Sequence, residues 1–371
     1  MMETRVVRAW GDMERDRSLM EEAGKLIRKG ELVAIPTETV YGLAGDALNP
    51  ASSKKIYEAK GRPSDNPLIV HIAERAALNR IVSGIPEKAE ILMEAFWPGP
   101  LTLIFKKSGD VPMETTGGLG TVAVRMPVNR IAAEFIAASG GYIAAPSANA
   151  SGRPSCTTAE HVYEDMKGKI PLIIDGGEVG IGLESTIVDL SGDRPCLLRP
   201  GYISLRMLRE KIGEVDTDPS IEGVMDENAH PKAPGMKYRH YAPKGELYIV
   251  RGAPEDVIER VNSLCDSAAE KGLRTAVISS DETLDRYRAD IIRSLGSRQD
   301  EESIARNLFR VLRDMDDEGA DLIYSEEFGS ADMGMAIMNR LIRAAGHKII
   351  ECQAGGSEKN VILSEARKMS S

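Results

Sequence analysis

The stretch LVAIPTETVYGL, residues 32–43, indicates how the first part of this chain folds. Its first four residues are apolar and are followed by Pro36, which predicts a short buried strand that opens into a polar loop. A helix is expected just before this strand, because four apolar residues recur at the spacing of one helical face: Leu19, Ala23, Leu26 and Ile27.

Short apolar runs and helical patterns continue to alternate as far as residue 213. Further strands are predicted at residues 68–72, 101–105, 121–125, 142–145, 172–175 and 186–190. Helices are predicted near residues 51–60, 87–96, 129–139 and 159–166. Such alternation is typical of an α/β domain with a mixed, largely covered sheet.

The composition changes after residue 213, where a stretch rich in proline, glycine and acids lacks any periodicity. It is long for a loop inside a compact domain, so residues 214–245 are predicted to form a linker or a lid. A pattern of strand, helix, strand, two helices, strand and helix follows from residue 247. We therefore predict a domain at 1–213, a second, small doubly wound α/β domain at 246–352, and a polar tail at 353–371.

The overall composition argues against several classes of protein. The 371 residues are 42% hydrophobic and carry a net charge of -10, which argues against nonspecific binding to nucleic acid or anionic membranes. No apolar run approaches membrane-spanning length, and the N-terminus lacks the apolar core of a signal peptide, so a cytoplasmic location is expected. The four cysteines lie far apart without a C-x-x-C pair, which argues against a zinc site and a disulfide framework.

The standard nucleotide-binding motifs are absent from the sequence, including the P-loop and G-x-G-x-x-G. If ATP binds, dispersed cationic and hydroxyl side chains must hold it. The loop PTETVYGL is one candidate, because ligands favour loops at the carboxyl ends of strands. The alternative is a turn whose threonines cap a following helix.

Two further segments carry cations. Lys60 and Arg62 stand at a predicted helix exit, where they could cradle a triphosphate or simply complement the helix dipole. Arg125 ends a predicted apolar strand and needs an anionic partner if buried. That partner could be a substrate carboxylate or an internal acid.

The last two segments follow or border predicted strands. In AAPSANASGRPS, residues 144–155, Ser147, Asn149 and Ser155 could hydrogen-bond to adenosine or phosphate, or the segment could be a plain surface loop. Ser185 and Arg199 border two neighbouring short strands and could face one pocket. His71 could be a satisfied core histidine. No metal-ligand cluster or nucleophile constellation emerges from the sequence.

Taken in order, these segments resemble the threonylcarbamoyl-AMP synthase family, built on the YrdC-type domain. The matching stretches are PTETVYGL, AKGRPSDNPLIVHI, WPGPLTLI, VAVRMP, APSANASGRPS, ESTIVDL and LLRPG, which span nearly all of residues 20–213. The stretch PGMKYRHYAP and the domain after it resemble the long, two-domain form of the family. The resemblance implies a twisted mixed sheet with a concave active site, followed by a small Rossmann-like C-terminal domain.

The resemblance also implies a reaction, in which L-threonine, bicarbonate and ATP give threonylcarbamoyl-AMP and pyrophosphate. A nucleotidyltransferase of this kind needs no covalent nucleophile, and Mg2+ would be held mainly by ATP phosphates. The product would pass to the tRNA threonylcarbamoyl transferase complex, which modifies adenosine 37 of tRNA. Weak direct binding of tRNA is possible. The alternatives are a carbamoyl-transfer maturation protein of hydrogenases and a noncatalytic RNA-binding module.

Site residues carry over by resemblance. Lys60 and Arg62 would stabilise phosphate charge. The residues expected around L-threonine are Thr39, His71, Arg125, Ala145 through its backbone, and Ser185. Those expected around ATP are Lys60, Arg62, Asn66, Thr121, Ser147, Ser155, Arg199 and Tyr241. Tyr238 and His240 are alternatives to Tyr241 as the residue that reaches ATP from the linker.

Overall fold

A computed structural model describes residues 2–221, 223, 231–234, 236, 240–329 and 331–352, with the backbone alone for Met13. The chain divides into two compact units, Met1–Ser151 with Ser155–Tyr238 and Gly152–Pro154 with Arg239–Ser371. The predicted linker or lid lies across this division, and its role remains a prediction. Residues 353–371 of the predicted tail lie outside the described residues. No described helix is long and apolar enough to cross a membrane.

The first unit contains an eleven-stranded sheet in its described part. Its strands are β1 (Arg5–Arg8), β2 (Val33–Ile35), β3 (Gly42–Asp46), β4 (Ile69–His71), β5 (Leu101–Lys106), β6 (Thr121–Arg125), β7 (Ile143–Ala144), β8 (Leu172–Asp175), β9 (Thr186–Asp189), β10 (Cys196–Arg199) and β11 (Asp216–Thr217). Their order is β1-β8-β2-β3-β7-β4-β6-β5-β9-β10-β11. Parallel and antiparallel neighbours both occur, so the predicted mixed sheet is confirmed.

Helices accompany this sheet, five of them at the places that the periodicity predicted; the short helices at residues 78–81 and 205–212 were not predicted. They are α1 (Met13–Arg28), α2 (Pro50–Lys60), α3 (Leu78–Ile81), α4 (Glu87–Phe96), α5 (Arg130–Ala138), α6 (Ala159–Met166) and α7 (Leu205–Ile212). α2 begins where the Asn49 side chain accepts a hydrogen bond from the Ala51 amide. It ends at Gly61, whose φ of 63° is the left-handed conformation that glycine adopts without strain. This turn directs the chain from Lys60 to Arg62.

Apolar layers cover both faces of the sheet. In β2, Val33 and Ile35 belong to one buried cluster and Ala34 to another, as expected of a strand covered on both sides. The first cluster includes Ile27 of α1 and Phe135 of α5. The second includes residues of α2 and α4. Burial on both faces explains why β2 is a continuous apolar run in the sequence.

Sequence patterns missed β1, β3 and β11. The sequence of β3, GLAGD, contains two glycines and little alternation, but β2 and β7 pair with it on either side. The suggestion that the threonines of PTETVYGL cap a following helix is wrong, because the element that follows them is this strand.

In its described part, the second unit contains a five-stranded sheet with the order β14-β13-β15-β12-β16, in which all paired strands are parallel. Its elements are β12 (Glu246–Arg251), α8 (Pro254–Ala269), β13 (Thr275–Ser279), β14 (Ile291–Ser294), α9 (Glu301–Asp317), β15 (Leu322–Glu326), α10 (Asp332–Ala344) and β16 (Ile349–Glu351). The predicted α/β alternation is confirmed. The prediction of two helices after β13 is wrong for the first of them. A short 3-10 turn, Leu284–Arg286, and the edge strand β14 occupy that stretch.

Candidate active site of the first unit

Two buried basic side chains meet at neighbouring strand ends in the first sheet. His71 ends β4 and Arg125 ends β6, and the two residues are direct partners in the parallel register. On the other side of β6, Thr102 of β5 is opposite Arg125. Partners in register project to the same face of a sheet, so these three side chains share one face.

Arg125 joins the loop between β2 and β3 to this sheet face. Its Nη1 donates to Thr39 Oγ1 at 2.8 Å, its Nη2 to Glu38 Oε1 at 2.6 Å and its Nε to the Gly99 carbonyl at 3.3 Å. The internal acid left open by the sequence is therefore Glu38. A guanidinium has five N–H donors, and these bonds use three. The other two have no acceptor among the described residues, so they can receive a carboxylate.

The orientation of the Thr39 hydroxyl follows from its neighbours. The Thr37 hydroxyl donates to the Val40 carbonyl at 2.7 Å, which uses its one proton. The 2.9 Å contact between the hydroxyls of Thr37 and Thr39 must then be donated by Thr39. Thr39 accepts from Arg125 in return, and this chain of bonds fixes the loop beside the guanidinium.

His71 is neutral at physiological pH. Burial first, and the nearby Arg125 charge second, lower the pKa of His71 to about 3. Its Nδ1 lies 3.2 Å from the Ile69 carbonyl, which can only accept, so the proton is on Nδ1. His71 Nε2 is then an acceptor, suited to a hydroxyl or ammonium donor. The Ala145 amide also donates to the Ile69 carbonyl, at 3.0 Å, so a backbone contact of Ala145 to a ligand would use its carbonyl oxygen.

Ser185 connects this group to Arg199. Its hydroxyl lies 2.7 Å from that of Thr102, and Arg199 Nη2 donates to it at 3.2 Å. Arg199 Nε and Nη2 also donate to the Ser185 carbonyl, at 3.0 and 2.9 Å. The expectation that Ser185 and Arg199 lie together is thus met by direct contact.

Lys60 lies at the end of α2, where it is buried. Its Nζ donates to the backbone carbonyls of Ser147 and Asn149. Burial, followed by repulsion from Arg62, lowers the pKa of Lys60 to about 7. No carboxylate among the described residues lies within ion-pair distance of Nζ. An anionic ligand would therefore favour the charged form of this amine.

The other residues expected around ATP make contacts in three small groups. Arg62 Nη2 donates to Asn66 Oδ1 at 2.6 Å. Ser147 Oγ donates to Asn149 Oδ1 at 2.5 Å, and Ser155 Oγ to Glu184 Oε1 at 2.5 Å. Since Glu184 precedes Ser185 in the chain, the last group adjoins the Arg199 cluster.

Thr121 stands at the start of β6, on the same face as Ala123 and Arg125 by the period of a strand. No side-chain hydrogen bond links it to another of the expected residues in the described part of the chain.

An apolar patch adjoins the polar residues on this sheet face. Ile69 of β4 and Ala123 of β6 lie two residues before His71 and Arg125, hence on the same face. Both belong to a buried cluster that includes Ala233 and Met236 from the predicted lid. Arg199 Nη1 donates to the Pro234 carbonyl at 3.4 Å. The described part of the lid in this unit thus packs beside the candidate site.

Two family models and a curated relative match this chain. A family model described as "Telomere recombination", of the Sua5, YciO and YrdC proteins, matches residues 25–201. A second, for the C-terminal domain of threonylcarbamoyl-AMP synthase, matches residues 203–346. A threonylcarbamoyl-AMP synthase of Pyrococcus abyssi is 50% identical over 329 residues, covering 89% of this chain and 94% of that protein.

The chain belongs to the threonylcarbamoyl-AMP synthase family. A Bacillus subtilis member is 47% identical over 330 residues, covering 89% of this chain and 93% of that protein. The crystal structure of Pyrococcus abyssi Sua5 complexed with L-threonine matches with a TM-score of 0.87 and 48% identity, covering 94% of this chain and 99% of that one. The predicted family and two-part fold are therefore confirmed.

A second solved structure of the family also matches this chain. It is a Pyrococcus abyssi Sua5 variant in which a consecutive histidine and tyrosine are both changed to alanine, with a TM-score of 0.88 and 46% identity, covering 96% of this chain and 100% of that one. The sequence of the present chain contains one His-Tyr dipeptide, formed by His240 and Tyr241. Tyr241 lies in the second unit, buried and stacked on Phe309 with ring centroids 5.1 Å apart. Tyr238 lies outside the described residues, as do Lys237 and Arg239.

Sequence reasoning missed two residues of the site, Glu38 and Thr102. Glu38 lies inside the quoted motif PTETVYGL, but the chain has 57 acids and the sequence does not say which one meets Arg125. Thr102 lies in WPGPLTLI, where it resembles any polar residue of an apolar strand. Thr102 becomes evident only from the register of β5 on β6, and Glu38 only from its hydrogen bond to Arg125.

Proposed function

We propose that this chain is a nucleotidyltransferase that makes threonylcarbamoyl-AMP and pyrophosphate from L-threonine, bicarbonate and ATP. The observation that carries the proposal is the guanidinium of Arg125, which is buried beside a neutral histidine yet retains two N–H donors. Such a pair of donors suits the carboxylate of an amino acid through parallel hydrogen bonds.

L-threonine would bind with its carboxylate on Arg125, near Thr39. His71 Nε2 would accept a hydrogen bond from the ligand, since its Nδ1 proton is committed to Ile69. The Ala145 carbonyl and the Ser185 hydroxyl would complete the polar contacts. These roles rest on the five side chains and backbone groups sharing or adjoining one sheet face.

ATP would bind alongside, through residues of α2, the loop after α2, β6, β10 and the loop after β7. Lys60, Arg62 and Arg199 supply positive charge for the phosphates, while Asn66, Thr121, Ser147 and Ser155 supply hydrogen bonds. The described residues contain no group of three or more His, Cys, Asp or Glu with metal-ligand geometry. Mg2+ would therefore depend mainly on phosphate oxygens and water, and it would neutralise charge on the triphosphate.

The reaction requires positioning and charge neutralisation more than a covalent intermediate. Threonine nitrogen first forms a carbamate with bicarbonate, releasing water. A carbamate oxygen then forms a bond to the α-phosphorus of ATP as the bond to the β-phosphate bridging oxygen breaks, and pyrophosphate leaves. Cations fixed before substrate arrives stabilise the charge that moves onto the leaving group without further reorganisation.

The wider setting belongs to the same proposal. The product would pass in the cytoplasm to the tRNA threonylcarbamoyl transferase complex for modification of adenosine 37. Residues 234–243, within the predicted linker or lid at 214–245, would shield carbamate and mixed anhydride from water, with Tyr241, His240 or Tyr238 reaching ATP. Support comes from Ala233 and Met236, which pack on the sheet face that also carries Arg125.

A direct test measures pyrophosphate release by the purified full-length chain with ATP, L-threonine and bicarbonate, and identifies the nucleotide product by mass spectrometry. Release should require all three substrates, and the product mass should equal that of threonylcarbamoyl-AMP. Omission of bicarbonate from degassed buffer is the sharpest control. Release that ignores threonine or bicarbonate, or nucleic-acid binding without any turnover, would reject the proposal.

A further inference from the structure

Glu38 presents an unusual oxygen next to the predicted threonine site. Its side chain is 12% exposed, and Oε1 accepts a 2.6 Å hydrogen bond from Arg125 Nη2. Its Oε2 is buried and has no hydrogen-bond partner among the described residues. Burying a carboxylate oxygen without a donor is costly, and native proteins rarely leave such an atom unused.

The position of Glu38 is fixed by its backbone and its neighbours. The Glu38 carbonyl accepts from the Ile181 amide at 2.9 Å, and the Thr39 carbonyl accepts from the Gly182 amide at 3.1 Å. Thr37 closes the loop through its bond to Val40. With the loop held on both sides and Oε1 held by Arg125, the carboxylate cannot easily turn Oε2 towards another protein donor.

We propose that Glu38 is a specificity-determining residue whose Oε2 accepts a hydrogen bond from the α-ammonium group of the amino-acid substrate. This inference rests on the proposed function and adds a second charged contact to it. An α-amino acid carries its ammonium and carboxylate on one carbon. The Arg125 guanidinium, with two remaining donors, and the Glu38 carboxylate, with one unused oxygen, stand side by side with matching polarity.

The pair explains how the pocket can select a zwitterion. Glu38 balances the charge of Arg125, so a ligand with both charges restores every ionic contact without changing the net charge of the site. A carboxylate ligand that lacks the amine would bring a second negative group beside Glu38 and leave Oε2 without a donor. After carbamate formation the nitrogen keeps one N–H, which the same oxygen can still accept.

The competing explanation is that Glu38 only holds Arg125 in place. That role would affect every ligand carboxylate equally, whether or not the ligand carries an amine. Selectivity between L-threonine and (R)-3-hydroxybutyrate, which has the same carbon skeleton without the amine, separates the two roles. Titration calorimetry on the full chain gives both affinities.

On the unaltered protein, L-threonine should bind at least about 10-fold more tightly than (R)-3-hydroxybutyrate, the value of one hydrogen bond between charged groups. In Glu38→Gln this ratio should fall at least about 10-fold. The matched control is Glu134→Gln, which removes a carboxylate paired with Arg130 at 2.9 Å on α5 and not with Arg125. Its ratio should equal that of the unaltered protein.

Equal affinities of the unaltered protein for the two ligands would overturn the inference even if Glu38→Gln does not fold. A ratio in Glu38→Gln that matches the unaltered protein would also overturn it, including the case where both affinities drop together. Pyrophosphate release by the unaltered protein keeps the two proposals apart. If the protein makes threonylcarbamoyl-AMP but shows either of these results, the contact to the ammonium fails and the proposed function stands.

Discussion

The two units of this protein carry buried charges in contrasting hydrogen-bonding states. In the second unit, Glu326 ends β15 and is almost fully buried. Four neighbours donate to its two oxygens, Ser280, Thr283, Tyr287 and Arg298. In the first unit, Arg125 ends β6 with two N–H donors unused, and Lys60 donates to carbonyl oxygens alone.

Unused hydrogen-bond capacity separates a ligand site from a structural polar cluster. A carboxylate has about four acceptor positions, so the network around Glu326 satisfies that group within the protein. A guanidinium with spare donors and an amine without a countercharge gain from an incoming anion. The position at strand ends is common to both sheets, and hydrogen-bond capacity distinguishes them.

The largest effect is expected from charge reversal at one of the residues predicted to bind the ATP phosphates. Arg62→Glu should lower pyrophosphate release at least about 100-fold, the usual cost of losing a donor that stabilises transferring charge. Lys88→Glu, on the exposed surface of α4, is the matched control and should leave turnover unchanged. Because Arg62 is buried, Arg62→Gln and thermal unfolding of both variants check the fold. Normal kinetics for a folded Arg62→Glu would remove this residue from the site.

The next effect concerns threonine. Arg125→Ala should weaken L-threonine binding by about 2–5 kcal/mol, typical of truncating one partner of a buried charge pair. ATP binding should persist, and titration calorimetry measures both ligands on one sample. Arg130→Ala, which removes an exposed arginine of α5, should bind threonine normally. An unchanged threonine affinity in Arg125→Ala would mean that the spare donors have no role in substrate binding.

A smaller effect is expected in the second unit, on stability instead of turnover. Glu326→Gln should reduce the free energy of unfolding by about 1–3 kcal/mol, because buried donors lose a charged acceptor. Turnover per folded molecule should stay constant, since the network is satisfied without a ligand. Chemical denaturation and the pyrophosphate assay measure the two quantities. A loss of turnover without a loss of stability would show that this cluster has a function of its own.

The sequence predicted much of this fold, because buried strands and amphipathic helices leave local patterns. β2, β5 and β6 are apolar runs, and α4 and α6 have their predicted bounds. β3 and β14 escaped prediction, since their pairing with neighbouring strands compensates for weak local preference. A prediction from pattern alone therefore fails first for short strands.

The candidate site was predictable in its parts and less so in its connections. Arg125 was predictable as a site residue because a buried charge at the end of an apolar strand needs a partner. Its neighbour His71 lies more than fifty residues earlier, and only the register of β4 on β6 brings the two together. The sequence contains these side chains but does not specify this register. It also does not specify which of the many acids pairs with Arg125, so Glu38 could not be predicted.

Cleavage of the predicted lid by a protease should slow by a few fold when ATP and threonine are both bound. Its residues Ala233 and Met236 pack on the same sheet face as Arg125. Bound ATP and threonine should hold the segment closed, so trypsin should cut after Lys237 more slowly when both ligands are present. Each ligand alone is the matched control, and gel analysis of the full chain gives the rates. Equal rates under all conditions would make the segment a tether.

The smallest expected signal is a fraction of one proton, and it tests whether Lys60 truly lacks a countercharge. With a pKa of about 7 instead of the ordinary 10.5, Lys60 is mostly neutral at pH 8. Bound phosphate favours the charged amine and raises this pKa, so ATP binding at pH 8 should take up as much as one proton. Titration calorimetry in buffers of different ionisation enthalpy measures the uptake. Lys60→Met should abolish the proton uptake at saturating ATP, whereas the exposed control Lys88→Met should retain it.

Because ATP binding takes up a proton, ATP affinity should fall as pH rises above 7 in the unaltered protein. The affinity of Lys60→Met should depend less on pH. Equal uptake in all three proteins would mean that Lys60 does not change its charge when ATP binds. The contrast with the cluster around Glu326, which is satisfied within the protein, would then rest on Arg125 alone.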